Sequence, residues 1–351
     1  PNAIQEFQFG AGQTMTAGIT ATQLIFSPSY FIGIQAAKAY ASAMEAAESQ
    51  SVADARRAAG EAYAAALAAE ENVGILREAE SLAQASFDQT RAIVSEGLAE
   101  STDADQLELS VADVVQQRTT AESMASVALD ALKFTMGMPV ETNVILADSF
   151  KTLEGAFTGA AVLGTPFDAL RLPEIQTQSK NLELSELSIR NEKAAGLPSI
   201  GAFYSNQRNA QRDAFNFLGQ GSWYPIQLFG VQMTIPIWSS FAGKERVLQA
   251  QLTRDRAATA LEQLTEAATL EYRAAFSEYT SALKQREQAQ RGLDLATRIL
   301  DRTRTRFTEG LASSFELTQA QNQRVNAQGN LTQATLRWLN AHLRLQRSLN
   351  A

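Results

Sequence analysis

The sequence contains no cysteine and only one histidine, His342, among its 351 residues. A disulfide framework, a cysteine nucleophile and a Cys/His metal site are therefore excluded. Only 19% of the residues are charged, and the net charge of −8 argues against a nucleic-acid binder, which usually carries a basic face.

Long apolar runs are also absent. No stretch of 18 apolar residues occurs, so the sequence predicts no transmembrane helix. Residues 1–28 lack the basic and apolar segments of a signal peptide. Two short glycine-containing segments, at 10–12 and 243–244, are too incomplete to be dinucleotide- or phosphate-binding loops.

Apolar residues nevertheless make up 45% of the chain, while aromatic residues make up only 8%. Alanine supplies much of the difference. Because alanine has the highest helix propensity and a small side chain, this composition predicts many closely packed helices rather than one thick globular core.

The sequence is built from two related copies. The segment 18–27 resembles the segment 230–239, which lies 212 residues later. The tetrapeptide Glu-Gly-Leu-Ala at 96–99 recurs letter for letter at 309–312, at an offset of 213. Each copy has the same order of features, namely a strand, a long helix, a glycine turn and a return helix. This colinear set of matches predicts a tandem duplication.

Alternating residues predict strands at 15–26 and 229–237, and a third strand from Ile200 to Ser205. Residues 206–222 are expected to form a polar loop. Each of the first two strands has an apolar face, formed by Ala17, Ile19 and Ala21 in one and by Phe229, Val231, Met233, Ile235 and Ile237 in the other. The alternation by itself fits a membrane-facing sheet and a small soluble sheet equally well.

No proline interrupts the segments Tyr30 to Ser95 and Ser240 to Glu309, so each is predicted to be one helix of ~100 Å. Apolar residues spaced by three and four predict coiled-coil packing. Shorter return helices are predicted from Ser101 to Met136 and from Ser314 to Asn350. A separate helix from Pro173 to Ala195 has the length to cover the part of the second long helix that its return helix leaves bare.

These features resemble the TolC family of outer-membrane efflux proteins over nearly the whole chain. The likeness rests on the strand-to-helix junctions at 22–26 and 235–238, the Gly-Leu-Ala turns at 97–99 and 310–312, and the helix exit Gly137-Met138-Pro139. Leu197-Pro198-Ser199-Ile200 matches the family's entry to its second pair of strands. The order and spacing of these segments carry the resemblance, because each of them alone is common.

The resemblance implies an α+β membrane protein whose two tandem repeats give β-barrel strands and long α-helical coiled-coil hairpins. It implies a homotrimer with its barrel in the outer membrane of a Gram-negative bacterium and a helical tunnel in the periplasm. Backbone groups at a sheet edge cannot stay unpaired in lipid, so a chain with few strands must assemble to close its sheet. The strands and extracellular loops are expected in 1–28 and 197–238, the tunnel helices in 29–137, 173–196 and 239–350, and an equatorial segment in 138–172.

The first copy is shorter at its start than the second. A helix and a strand lie between Pro166 and Gly230, whereas 17 residues precede Gly18. We therefore expect the N-terminal helix and strand of repeat one to be missing from this sequence. The full protein is expected to extend upstream, behind a signal peptide.

The function implied by the resemblance is that of a passive outer-membrane exit duct in a tripartite efflux or type I secretion system. The resemblance implies a protein that is not an enzyme, and we expect no metal or other cofactor. Its expected partners are outer-membrane lipid, an inner-membrane transporter and a periplasmic adaptor (membrane fusion) protein whose docking opens the duct. No nucleic-acid partner is expected. The alternative is a soluble periplasmic coiled-coil adaptor or scaffold protein, although an adaptor would carry one hairpin rather than two tandem copies.

The family's functional residues transfer to two groups of positions. The periplasmic gate is expected at Glu316, Gln319 and Asp103. Carboxylates facing a common axis would repel one another and attract cations, although at Gln319 this sequence has an amide where the family has its second acid. An acid in the first turn also favours a helix N-terminus, which gives Glu316 and Asp103 a purely structural alternative. The adaptor-docking tips are expected at Gly97, Leu98, Ala99, Gly310, Leu311 and Ala312, where glycine also ends a helix.

Overall fold

The computed structural model describes residues 12–97, 100–157, 166–219 and 221–350. Within these residues the strands are β1 (Gln13–Phe26), β2 (Ser199–Arg212) and β3 (Tyr224–Thr234). The α-helices are α1 (Pro28–Ser95), α2 (Ser101–Thr135), α3 (Phe150–Ala156), α4 (Pro173–Ala194), α5 (Ala242–Thr308) and α6 (Ser314–Leu349). None of the helices in these ranges is both long enough and apolar enough to cross a membrane.

The chain divides into two compact units. The strand unit comprises the described residues up to Met44 together with Thr177–Leu261. The hairpin unit comprises the described residues of Glu45–Gln176 and Glu262–Ala351. The predicted long and short helices are confirmed, with ends that differ from the predicted ones by a residue or two.

The strand unit contains an antiparallel sheet in the order β1-β2-β3. Ala21 of β1 and Phe229 of β3 both pair with Tyr204 of β2, and residues that pair directly lie on the same face of a sheet. The register therefore brings the predicted apolar faces of β1 and β3 together on one side of the sheet. Large side chains on that side are exposed, including Ile19 at 78%, Phe229 at 80% and Val231 at 68%.

Three of the strand boundaries were predicted wrongly, namely the end of β2 and both ends of β3. Residues 206–212 belong to β2, not to a polar loop, because they pair with β1 as far as Arg212. Their amide and arginine side chains hid the strand, since Ala210 is the one apolar residue in this segment. β3 begins at Tyr224 and ends at Thr234, so Ile235 and Ile237 lie beyond it. Pro236 cannot donate to a ladder, which fits the end of the strand just before it.

In the strand unit, α4 packs against the first part of α5. The Gln178 amide donates to the Ala257 carbonyl over 3.4 Å, and Arg246 lies 3.2 Å from Glu192. The pairing runs antiparallel, since residues later in α4 meet residues earlier in α5. The prediction that this short helix covers the bare part of the second long helix is confirmed.

The core of the hairpin unit joins α1, α3, α5 and α6. Small residues such as Ala64, Ala275 and Ala341 are fully buried, and they allow the helices to approach around Trp338 and Leu339. Burial of this kind contributes ~25 cal/mol per Å² of apolar surface. The alanine-rich composition therefore produces close helix packing, as the sequence predicted.

Arg347 joins three helices of the hairpin unit near the end of α6. Its guanidinium lies 2.7 Å from Asp54 of α1 and 3.3 Å from Glu174 in the first turn of α4. The Asn350 amide also donates to the Arg171 carbonyl just before α4. The end of α6 and the start of α4 thus meet, as expected for two short helices that follow one another along a long one.

Candidate functional site

The tip of the second hairpin is a tightly hydrogen-bonded turn between α5 and α6. Gly310 has φ 73°, a left-handed conformation that glycine adopts without strain. The Leu311 N–H donates to the Arg306 carbonyl over 2.8 Å, and the Gly310 N–H donates to the Phe307 carbonyl over 3.0 Å. This is a Schellman motif, in which the glycine after the helix satisfies its last carbonyl groups. The Arg306 guanidinium also donates to the Leu311 carbonyl.

The start of α6 is held by a capping box. The Ser313 hydroxyl accepts a hydrogen bond from the Glu316 N–H, and the Glu316 carboxylate accepts one from the Ser313 N–H over 2.9 Å. Both interactions satisfy donors that a helix N-terminus leaves free. Glu316 therefore has a structural role, and its carboxylate remains exposed to solvent.

The tip of the first hairpin has the same glycine but a different helix start. Gly97 has φ 74°, and its N–H donates to the Val94 carbonyl over 2.9 Å. Glu100 precedes α2 and makes no side-chain capping hydrogen bond. Leu98 and Ala99, which were predicted to belong to the docking tip, lie outside the described residues. In the second tip, Leu311 is 64% exposed and Ala312 is half-buried.

The two tips meet through polar side chains. The Ser314 hydroxyl at the start of α6 donates to the Asp103 carboxylate at the start of α2. Further from the tips, the Gln321 amide donates to the Ser86 hydroxyl over 3.1 Å. Ser314 and Gln321 are buried, so these contacts lie within the interface between the hairpins. The first contact holds the starts of α2 and α6 next to each other.

The predicted gate residues are therefore distributed over adjoining helix starts. Asp103 is half-buried beside Ser314, Glu316 is exposed two residues beyond it, and Gln319 is exposed at the next turn of α6. The second tip also carries three exposed arginines on α5, at positions 302, 304 and 306. The arrangement presents carboxylates and amides at the hairpin ends, where they can attract or repel solutes.

The opposite face of the sheet is polar where β1 pairs with β2. The hydroxyls of Thr20 and Ser205 lie 3.1 Å apart, and the Asn209 amide donates to the Thr16 hydroxyl over 3.1 Å. Each hydrogen bond crosses from β1 to β2, so the two strands share a hydrophilic surface. Towards β3 the same side is apolar, because Leu228 pairs with Ser205 and Ile226 pairs with Gln207. The hydrophilic part of this side therefore lies between β1 and β2.

No group of three or more His, Asp or Glu side chains in the described ranges is arranged to hold a metal ion.

A further surface escaped the sequence analysis, namely a row of exposed amides on α6. Its signal was available, because eight of the 15 residues from Gln319 to Gln333 are asparagine or glutamine.

Comparison with known proteins gives a consistent result. The family model described as outer membrane efflux protein matches residues 169–351, about half of the chain. The proteases secretion protein PrtF of Dickeya chrysanthemi is 22% identical over 288 residues, which cover 82% of this chain. The chain spans only 62% of the length of that relative.

Solved outer-membrane channels have a similar fold. The channel OprN superposes with a TM-score of 0.76 at 16% identity, over 96% of this chain and 81% of that one. The CmeC channel of Campylobacter jejuni gives a TM-score of 0.71 at 16% identity, over 96% and 78% of the two chains. At such identities the likeness extends to the fold, which agrees with the predicted α+β architecture of strands and long helical hairpins.

The duplicated strand–hairpin architecture and the match of the family model over half of the chain lead to the same assignment. This chain belongs to the outer membrane efflux protein family, and it is an outer-membrane protein that extends into the periplasm.

Proposed function

We propose that the chain is one subunit of a homotrimeric exit duct in the outer membrane. Three copies contribute their strands to one β-barrel and their helices to one periplasmic tunnel. Transport through the duct is passive, and an inner-membrane transporter and a periplasmic adaptor supply energy and selectivity. The relative named for protease secretion and the neighbours named as channels support export as the activity.

The observation that carries this proposal is the two-sided sheet of the strand unit. Apolar side chains of β1 and β3 are exposed on one side, while hydroxyls and amides of β1 and β2 form hydrogen bonds with each other on the other side. β1 and β3 are the outer strands of the described sheet. In lipid the backbone groups of such strands need partners, which other copies of the chain can provide.

The hairpin tips are proposed to carry adaptor docking and the gate. The left-handed glycines Gly97 and Gly310 keep the tips narrow, and Leu311 offers an exposed apolar contact. Glu316, Gln319 and Asp103 are proposed to narrow the periplasmic entrance when three copies surround one axis. The Asp103–Ser314 contact supports a coupling between the two tips, because displacement of either hairpin breaks it.

The proposal is tested by extraction, assembly and conductance of the full-length protein. We expect it to require detergent for extraction, to have the mass of a trimer by light scattering, and to form ion-conducting pores in planar lipid bilayers. A chain that stays monomeric and soluble in buffer without detergent would contradict the proposal.

A further inference from the structure

A groove runs along the hairpin unit between the parallel helices α2 and α6. Cavities of about 380 Å³ and about 360 Å³ follow one another along it. Asn72 and Leu76 of α1 line the second cavity, and Leu76 packs in an apolar cluster with Val73 and Ala121. The groove is therefore a fixed surface with a packed floor.

A row of amides runs along α6, and all of its members except Gln319 line the two cavities. Five exposed side chains recur every three or four residues: Gln319, Asn322, Asn326, Asn330 and Gln333. None of them forms a hydrogen bond with the described part of the chain. Arg324 is the one charged residue between Gln319 and Gln333, and it pairs with Glu78 over 2.8 Å. The row thus offers free donors and acceptors without a net charge.

The tandem duplication places matching residues on α2. The offset of 213 relates these five positions to Gln106, Leu109, Asp113, Gln117 and Thr120. All five α2 residues line the same two cavities. Both α2 and α6 begin at the hairpin tips and run away from them. Because residues at equivalent positions of the two copies line one groove, the two helices present the same face to that groove. Asp113 is the one charged residue among the ten positions.

Gly329 adds space at the second cavity. A Cβ at this position would meet no atom of the described chain within 4 Å, so packing inside the chain does not require a glycine. Glycine inside a helix is less favourable than alanine by ~1 kcal/mol. The missing side chain leaves this part of the groove wider than any other residue would.

We propose that the shared face of α2 and α6 forms the wall of the conduit beyond the gate, and that the solute it fits is an extended polypeptide. This inference rests on the proposed function and on the proposed gate position of Gln319. The other amides of the row follow Gln319 at intervals of three or four residues, so they lie on the same face of α6 as Gln319. Peptide groups present alternating donors and acceptors, which side-chain amides can match in either direction. A nearly neutral wall also avoids trapping either acidic or basic side chains of a passing chain.

Blockade of single channels by a polypeptide tests the inference. Purified trimers in planar bilayers are exposed to an unfolded, uncharged, glycine- and serine-rich polypeptide, and the dwell time of each blockade is measured. We compare the wild type with a variant carrying Asn322→Ala, Asn326→Ala and Asn330→Ala. Alanine favours the helix more than asparagine does, so this variant is expected to fold. The matched control carries Gln263→Ala, Gln288→Ala and Gln323→Ala, three exposed amides that line neither cavity.

We expect the asparagine variant to shorten the dwell time about fivefold or more, as the loss of even one hydrogen bond of ~1 kcal/mol would do. The control should match the wild type. Equal dwell times in the variant and the wild type would overturn the inference while leaving the conducting duct intact. Amide-dependent blockade by a small organic cation but not by the polypeptide would overturn the solute class. Trimers without conductance would overturn the proposed function, and the inference with it.

Discussion

The pKa of His342 is determined by the surroundings of its side chain. Its ring lies edge-on to Phe157 with centroids 5.0 Å apart, and Tyr279 and Trp338 complete an aromatic cluster. Nδ1 has no hydrogen-bond partner in the described chain, and burial lowers the pKa of the imidazole. A charged pair lies against this cluster: Arg286 stacks over Trp338, and Glu154 binds Arg286.

Acidification should therefore destabilise the hairpin unit. The unfolded chain binds a proton at the ordinary histidine pKa of about 6.5, whereas the folded chain resists protonation until lower pH. Stability is complete above that value and falls as the pH drops below it, by at most ~1.4 kcal/mol per pH unit. Thermal unfolding at about pH 7.5 and about pH 5.5 measures the loss. His342→Phe should remove this part of the pH dependence, and an unchanged dependence would show that other groups cause it.

Glu316 has two roles that a single substitution can separate. Glu316→Gln keeps a side-chain oxygen for the Ser313 N–H and removes the charge, whereas Glu316→Ala removes both. If the carboxylate narrows the gate, both variants should raise single-channel conductance, and only Glu316→Ala should lower stability, by ~1 kcal/mol. Gln319→Ala combined with Glu316→Gln should raise conductance further. Unchanged conductance in the single and the double variant would remove both residues from the gate.

Helices were predicted more accurately than strands, for a physical reason. The long helices lack proline, and their ends coincide with glycines in the left-handed conformation, which local sequence determines. Strand ends depend on partners that are distant in sequence, such as Gln13 for Arg212. The amide row on α6 was overlooked because it borders a groove whose other side is α2, and the sequence does not show that these two helices are neighbours. The contact between the tips was missed for the same reason, since Asp103 and Ser314 are far apart in the sequence.

The glycine tips offer a test of docking at the scale of the hairpin. Other residues are strained at φ 74° and 73°, by roughly 1–2 kcal/mol, but asparagine tolerates this conformation best. Gly97→Asn with Gly310→Asn should add bulk at the tips with little strain, so trimers should form while export in cells falls. Gly292→Asn, on an open face of α5, is the control. Normal export by the double tip variant would contradict a docking role.

At the scale of the whole molecule, the proposed assembly depends on which side of the sheet faces lipid. Val231 and Gln232 are neighbours on β3, and the pleat directs them to opposite sides. Val231 is 68% exposed on the apolar side, which a monomer in water would leave uncovered. Val231→Lys places a charge on the side proposed to meet lipid, whereas Gln232→Lys places the same charge on the polar side.

A lysine facing the middle of a bilayer costs ~2–4 kcal/mol, and the trimer would bear this cost three times. Val231→Lys should therefore abolish most membrane-inserted trimer, while Gln232→Lys should assemble and change only ion selectivity. Both variants are measured by the fraction of trimer recovered from membranes in detergent, with the hairpin unit checked by circular dichroism. Equal recovery of the two variants would mean that the apolar side does not face lipid. The reverse order would mean that the two faces of the sheet have been assigned the wrong way round.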